Sequence, residues 1–166
     1  MAPHIPVRTI SKRVRPRIGD IVRITTCDGA ALAQCTHRHP QFGHLLRVIR
    51  AVEPTLAPNA AQIADIAARD AQFVTFFPLG AACARGIAEI LGSAPIPTAA
   101  KAFPTFRAAM ALPTGGRGPW WLWDGEREWR IGSLAPEQRH LPLREVINDT
   151  LLVERVLANW RPEADV

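Results

Sequence analysis

The chain has 166 residues, 48% of them hydrophobic, with 20 basic and 15 acidic side chains and three cysteines. That length suits one domain, able to bury roughly 70% of the surface its unfolded chain exposes, so no disulfide or metal is needed to hold it together. No apolar run approaches the roughly 20 residues that cross a bilayer, and the opening MAPHIPVRTISKRVRPRIGD lacks the continuous apolar core of a secretory signal.

Cys27, Cys35 and Cys83 are odd in number and sparse, unlike the even, dense sets of disulfide-stabilised secreted domains. The thiols are therefore expected to be free and the protein cytoplasmic, with no membrane partner. Residues 1–17 hold Arg8, Lys12, Arg13, Arg15 and Arg17 and no acid, and the remainder carries 15 bases against 15 acids. The basic excess thus belongs to a tail, which predicts a flexible leader over 1–17 and one globular domain over 18–166.

In chain order, Ile21 to Thr26 is rich in β-branched residues and reads as a strand. Asp28-Gly29 is a two-residue hairpin signal. Pairing about it sets Thr25 opposite Leu32, Ile24 opposite Ala33 and Val22 opposite Cys35. One face then carries Val22, Ile24, Ala33 and Cys35, the other Arg23 and Gln34. Phe42 to Val52 predicts a buried third strand. Asn59-Ala-Ala-Gln62 resembles a capping box opening an Ala-rich helix to about Asp70. Phe73 to Phe77 is a further strand, stopped by Pro78. Leu79 to Leu91 is divided between helix, for its alanines, and a loop with a short strand, for its glycines. Four prolines between Ser93 and Gly118 predict irregular chain.

A second hairpin is expected over Pro119–Gly132, turning at Asp124-Gly125. As a two-residue turn it pairs Trp123 with Glu126, Leu122 with Arg127, Trp121 with Glu128 and Trp120 with Trp129. Trp120, Leu122, Trp129 and Ile131 then form a core face. Trp121, Trp123, Glu126, Glu128 and Arg130 form the other, whose mixture of large aromatics and charges suits a partner-binding surface. Burial of the two tryptophans beneath another layer is the competing reading. Arg144 to Trp160 reads as a helix, with Val146, Leu152, Val156 and Trp160 near one face. Hairpins without helices between them predict a mostly β (α+β) fold: an antiparallel sheet or partly open barrel, with a C-terminal helix and one short mid-chain helix.

Motifs for chemistry are absent. There is no phosphate-cradling loop, no GxGxxG after a strand and no GxSxG, and tyrosine is missing altogether. Gly115-Gly116-Arg117-Gly118 reads as a turn. His37, His39 and His44 are weak candidates for a metal, because three histidines suit an open zinc site but no carboxylate lies among them. Neither catalysis nor a cofactor is expected.

The order of several short motifs carries a likeness. An opening Gly19-Asp20-Ile21-Val22 strand is followed by Phe77-Pro78-Leu79, a proline-containing link to Phe103-Pro104, and the Trp123-Asp124-Gly125 hairpin. Leu141-Pro142 and a terminal helix ending Trp160-Arg161-Pro162 complete the series. Over residues 18–162 this resembles the bacterial immunity protein family 26 of polymorphic toxin systems. The resemblance implies a mostly β fold and the neutralisation of a toxin passed between competing bacteria. The basic leader and the Ala-rich segment at 59–70 have no counterpart in it, and it supplies no binding residues. The expected partner is a cognate toxin, bound by occlusion. The alternative is a small β-barrel nucleic-acid binder using residues 1–17 and a tryptophan stacking platform.

Overall fold

The computed structural model describes residues 14–49 and 57–166. Five antiparallel strands form the larger sheet: β1 (Asp20–Thr26), β2 (Gly29–His39), β3 (Gly43–Ile49), β4 (Ala71–Phe77) and β5 (Ala88–Ser93), in the order β4-β3-β2-β1-β5. Three short strands form the smaller: β6 (Phe106–Ala108), β7 (Trp120–Trp123) and β8 (Glu128–Gly132), in that order. Neither sheet closes on itself, so of the two expected architectures the open sheet is the one formed. Among the described residues no helix is long and apolar enough to cross a membrane.

The helices divide the larger sheet's two faces between them. Val22, Ile24, Ala31, Ala33, Cys35, Leu46, Val48 and Phe73 turn towards α2 (Leu79–Ala84) and α3 (Asp149–Leu157), which contribute Leu79, Leu152, Val153 and Val156 to one apolar cluster. Ile21, Leu32 and Ile49 turn the other way, onto Ile63, Ile66 and Ala67 of α1 (Ala60–Ala68). The remainder of that second face, Leu45 and Phe76, is covered by Phe106 and Trp123 of the smaller sheet.

The first hairpin departs from expectation by one step at its turn. Thr26 pairs with Gly29, so Cys27 and Asp28 form the loop, and Ile24 meets Ala31 and Val22 meets Ala33. The partners shift by two residues, an even number, so Val22, Ile24, Ala33 and Cys35 still share the buried face. The capping box at α1 is present: Asn59 accepts from the Gln62 amide, and the Gln62 side chain accepts from the Asn59 amide, both at 2.9 Å. The divided stretch from Leu79 resolves into α2 followed by β5. The third strand is described over Gly43–Ile49, and the rest of its expected span, residues 50–52, lies outside the described residues.

The C-terminal helix begins later than expected. Residues before Asp149 are extended because their amides are used elsewhere: Arg144 N–H donates to Arg107 O (2.9 Å) and Ile147 N–H to Phe76 O (3.1 Å). Asn148 then caps α3 by accepting from Leu151 N–H (2.8 Å). Val146 consequently points outward rather than onto the buried face, while Leu152 and Val156 are buried as expected.

Candidate functional site

The β7–β8 hairpin is where the aromatic and charged side chains of the expected binding face come together. Its loop has four residues, Asp124 to Arg127, and pairs Trp123 with Glu128, Leu122 with Trp129 and Trp121 with Arg130. The two-residue turn is thereby corrected. The Asp124 carboxylate accepts the Glu126 (3.0 Å) and Arg127 (2.8 Å) amides, stabilising the wider turn. Those two donors hold its pKa below the usual 3.8. From Trp121 to Trp123 the register again moves by two, so alternation there is as expected; an irregularity at Trp120 moves its partner by three, to Gly132, and what covers each face is not as expected.

Trp123 is buried, not presented to a partner. It packs with Phe76, Phe103 and Phe106, at ring separations of 5.4 to 6.1 Å, under the larger sheet. Trp120 and Leu122 are buried on the opposite face, beneath the C-terminal segment. Trp129, expected in the core, is instead 40% exposed, because that cover does not extend across β8. Trp121 is 38% exposed opposite Arg130, with Glu128 on the same face and Glu126 in the loop, all of them exposed. Glu128 pairs with Arg144, whose guanidinium lies 5.7 Å from the Trp123 ring centre. Four of the five proposed residues therefore remain on the surface, with Trp123 as the support beneath them.

The cover over Trp120 depends on a residue that sequence reading did not single out. Arg107 is fully buried in β6. Its Nε donates to Leu141 O (3.0 Å), Nη1 to Asp165 O (2.7 Å), and Nη2 to Arg139 O (3.1 Å) and Pro162 O. The guanidinium also lies 4.8 Å from the Trp120 ring centre. One planar fork thus ties two separated stretches of the C-terminal segment, 139–141 and 162–165, to the smaller sheet. Burial lowers its pKa, and Asp165 opposes that by favouring the charge. Arg107 sits in proline-rich chain with no periodic signal, so only the carbonyls gathered around it reveal its role.

The histidines are drawn into structure. His37 directs Nε2 at Lys101 O (2.9 Å) and Nδ1 at the Thr36 hydroxyl (3.0 Å). His39 directs Nε2 at Gly125 O (3.0 Å), while its Nδ1 accepts from the Gln41 amide (3.2 Å). Each ring has both nitrogens engaged, and His39 also packs edge-on to Trp123 at 5.0 Å. Burial and nearby Arg38 lower the pKa of His44. Among the described residues no three metal-binding side chains converge, so the His37, His39 and His44 cluster does not assemble as a ligand set.

A cavity of about 260 Å³ lies between the exposed end of α1 and the 97–104 segment, over Thr36, Leu45, Arg47 and Val74. It falls below the ~300–1,000 Å³ usual for small-molecule sites. Its central charge is already engaged: buried Arg47 donates to Gln34 Oε1 (2.8 Å), Arg69 O (2.8 Å) and Ala67 O, capping the end of α1. The arrangement holds a helix against a sheet and presents no reactive pair. Cys35 is similarly inert, its thiol pushed up to about 12 mainly by burial.

Fold and site together define a two-sheet α+β domain with an aromatic, charge-flanked hairpin at one margin. Comparison with protein-family models, with curated proteins and with solved structures returns no match.

Proposed function

We propose that this chain is an immunity-type binding protein that neutralises a cognate bacterial toxin by covering it, with the β7–β8 hairpin as its contact surface. The observation that carries the reading is Trp121, a large aromatic 38% exposed on a short strand, opposite Arg130 and on the same face as Glu128, with exposed Glu126 in the adjoining loop. Aromatic anchors within charged rims dominate the energy of protein interfaces, and such charges steer association and select the partner. Trp123 and the phenylalanines beneath it keep the hairpin rigid, which reduces the ordering cost of binding. The likeness of motif order to immunity family 26 supports the same reading. The nucleic-acid alternative rests on residues 1–17, of which 1–13 lie outside the described residues, together with exposed tryptophans, here Trp121 and Trp129.

The test is binding of the purified chain to the toxin domain encoded beside its gene. Wild type should bind and protect sensitive cells, and Trp121→Ala should weaken binding roughly thirtyfold or more, the ~2 kcal/mol or more of an interface hot spot. Leu157→Ala, at an exposed position on α3, should leave binding unchanged. Failure of wild type to bind, together with salt-sensitive polynucleotide binding lost on removing residues 1–17, would support the alternative instead.

A further inference from the structure

The free margin of the smaller sheet points to a second partner. Parallel bridges from Leu143 to Arg107 and from Val146 to Phe76 cover β6 and β4, whereas among the described residues no strand lies beyond β8. The amide of Asp124 donates to Arg127 O (3.1 Å), making that a hydrogen-bonded pair. Alternation along an antiparallel ladder then aims the backbone groups of Trp129 at β7 and those of Glu128 and Arg130 outward. The edge thus offers two N–H donors and two carbonyl acceptors separated by one residue.

We infer that β8 pairs with β8 of a second copy of this chain, antiparallel, about a two-fold axis at Trp129. This sets Glu128 opposite the other copy's Arg130, and Arg130 opposite its Glu128, through the outward backbone groups. Trp129 meets its own counterpart in the close, non-hydrogen-bonded position. An interface of this kind must be self-complementary, with residue i meeting j and j meeting i, and Glu-Trp-Arg satisfies that condition. Moving the axis to Glu128 or Arg130 would set two glutamates or two arginines opposite each other.

A charged edge ordinarily prevents strand pairing. Here the order of signs prevents the neighbouring registers and favours one. Arg130 has no side-chain partner among the described residues, and Glu128 uses one carboxylate oxygen on Arg144, leaving the other available. The exposed Trp129 adds apolar area that joining the edges would cover. The result is a continuous six-stranded antiparallel sheet. This inference does not rest on toxin binding: it uses the backbone edge of β8 and is tested on the chain alone, although the Glu128 and Arg130 side chains, on the Trp121 face, belong to both surfaces.

Sedimentation velocity of the full chain alone, over a range from micromolar to near-millimolar, tests the proposal. Wild type should show a concentration-dependent dimer. Glu128→Arg or Arg130→Glu should each weaken dimerisation about tenfold, since every reversal replaces two attractive cross-strand pairs by repulsive ones. The double exchange Glu128→Arg/Arg130→Glu should restore it. Circular dichroism establishes that each variant is folded, and Arg130→Pro, which removes an outward N–H that the monomer does not use, should abolish the dimer independently. A chain monomeric throughout, a dimer indifferent to the single reversals, or one that the double exchange fails to restore overturns the proposal.

Discussion

The two Asp-Gly hairpins begin from the same turn signal and teach different lessons. In β1–β2, and in β7–β8 from Trp121 to Trp123, the strands pair two residues away from the positions that a turn centred on the dipeptide would set. An even shift leaves side-chain alternation intact, so each strand's division into two faces survives. In the first hairpin that division suffices, because the apolar face of Val22, Ile24, Ala33 and Cys35 lies against helices. In the second it does not. Trp123 is covered by the larger sheet and Trp120 by the C-terminal segment, so both faces are buried near β6 and β7 and both open out towards β8. Alternation reports which side chains share a side, and not what lies over that side.

The largest expected effect comes from removing the cover of the second hairpin. Arg107→Met deletes the donor to four backbone carbonyls, at least one of them fully enclosed. Left unpaired, such groups cost about 1–3 kcal/mol each when buried, so a total loss of roughly 3–5 kcal/mol is expected in chemical denaturation. Arg107→Lys should recover only part of it, since an ammonium cannot serve the same planar fork. Near-wild-type stability in Arg107→Met would show that the segment holds without this tie.

Of similar size is the contrast between neighbouring tryptophans. Trp123→Ala should destabilise the fold by about 3–5 kcal/mol, as a buried aromatic replaced by alanine does. Trp121→Ala should change stability by less than about 1 kcal/mol, because its site is on the surface. Equal losses in urea melts of the two variants would mean that the faces are wrongly assigned.

The turns themselves give a smaller difference. Gly29 and Gly125 both have positive φ, +153° and +103°, so alanine at either position carries a strain of about 1–3 kcal/mol. At Gly125 the new Cβ would also come 2.7 Å from Phe103 Cε1, whereas at Gly29 it meets Leu157 at an ordinary 3.6 Å. Gly125→Ala should therefore be the more destabilising, which thermal melts of the two variants can decide.

The smallest effect concerns acid. The folded pKa of Asp124 lies below its ordinary 3.8, because the carboxylate accepts two turn amides. A carboxyl whose folded pKa is depressed contributes stability that is complete above 3.8 and is lost as pH falls through the lower, folded value. Wild type should accordingly lose stability more steeply than Asp124→Asn below pH 3.8. Identical acid limbs in the two melts would assign the turn's stability to its backbone alone.

Much of the larger sheet was legible in the amino-acid order. Strand positions, the Asn59-Gln62 capping box, the stop at Pro78 and the buried side of the first hairpin all rest on local geometry, which a short stretch of chain expresses by itself. The mostly β class followed from hairpins joined without intervening helices. The start of α3 was less legible, because the amides of Arg144 and Ile147 are claimed by carbonyls more than thirty residues away. What only the tertiary structure decided was cover. Trp123 became a support and Trp129 a surface residue because the smaller sheet meets the larger one on one side and the C-terminal segment on the other. Arg107, with no neighbouring pattern to mark it, became a structural tie because four distant carbonyls converge on it. Local sequence sets the periodicity of each element, but burial depends on which other elements arrive above it, and that is a property of the assembled chain.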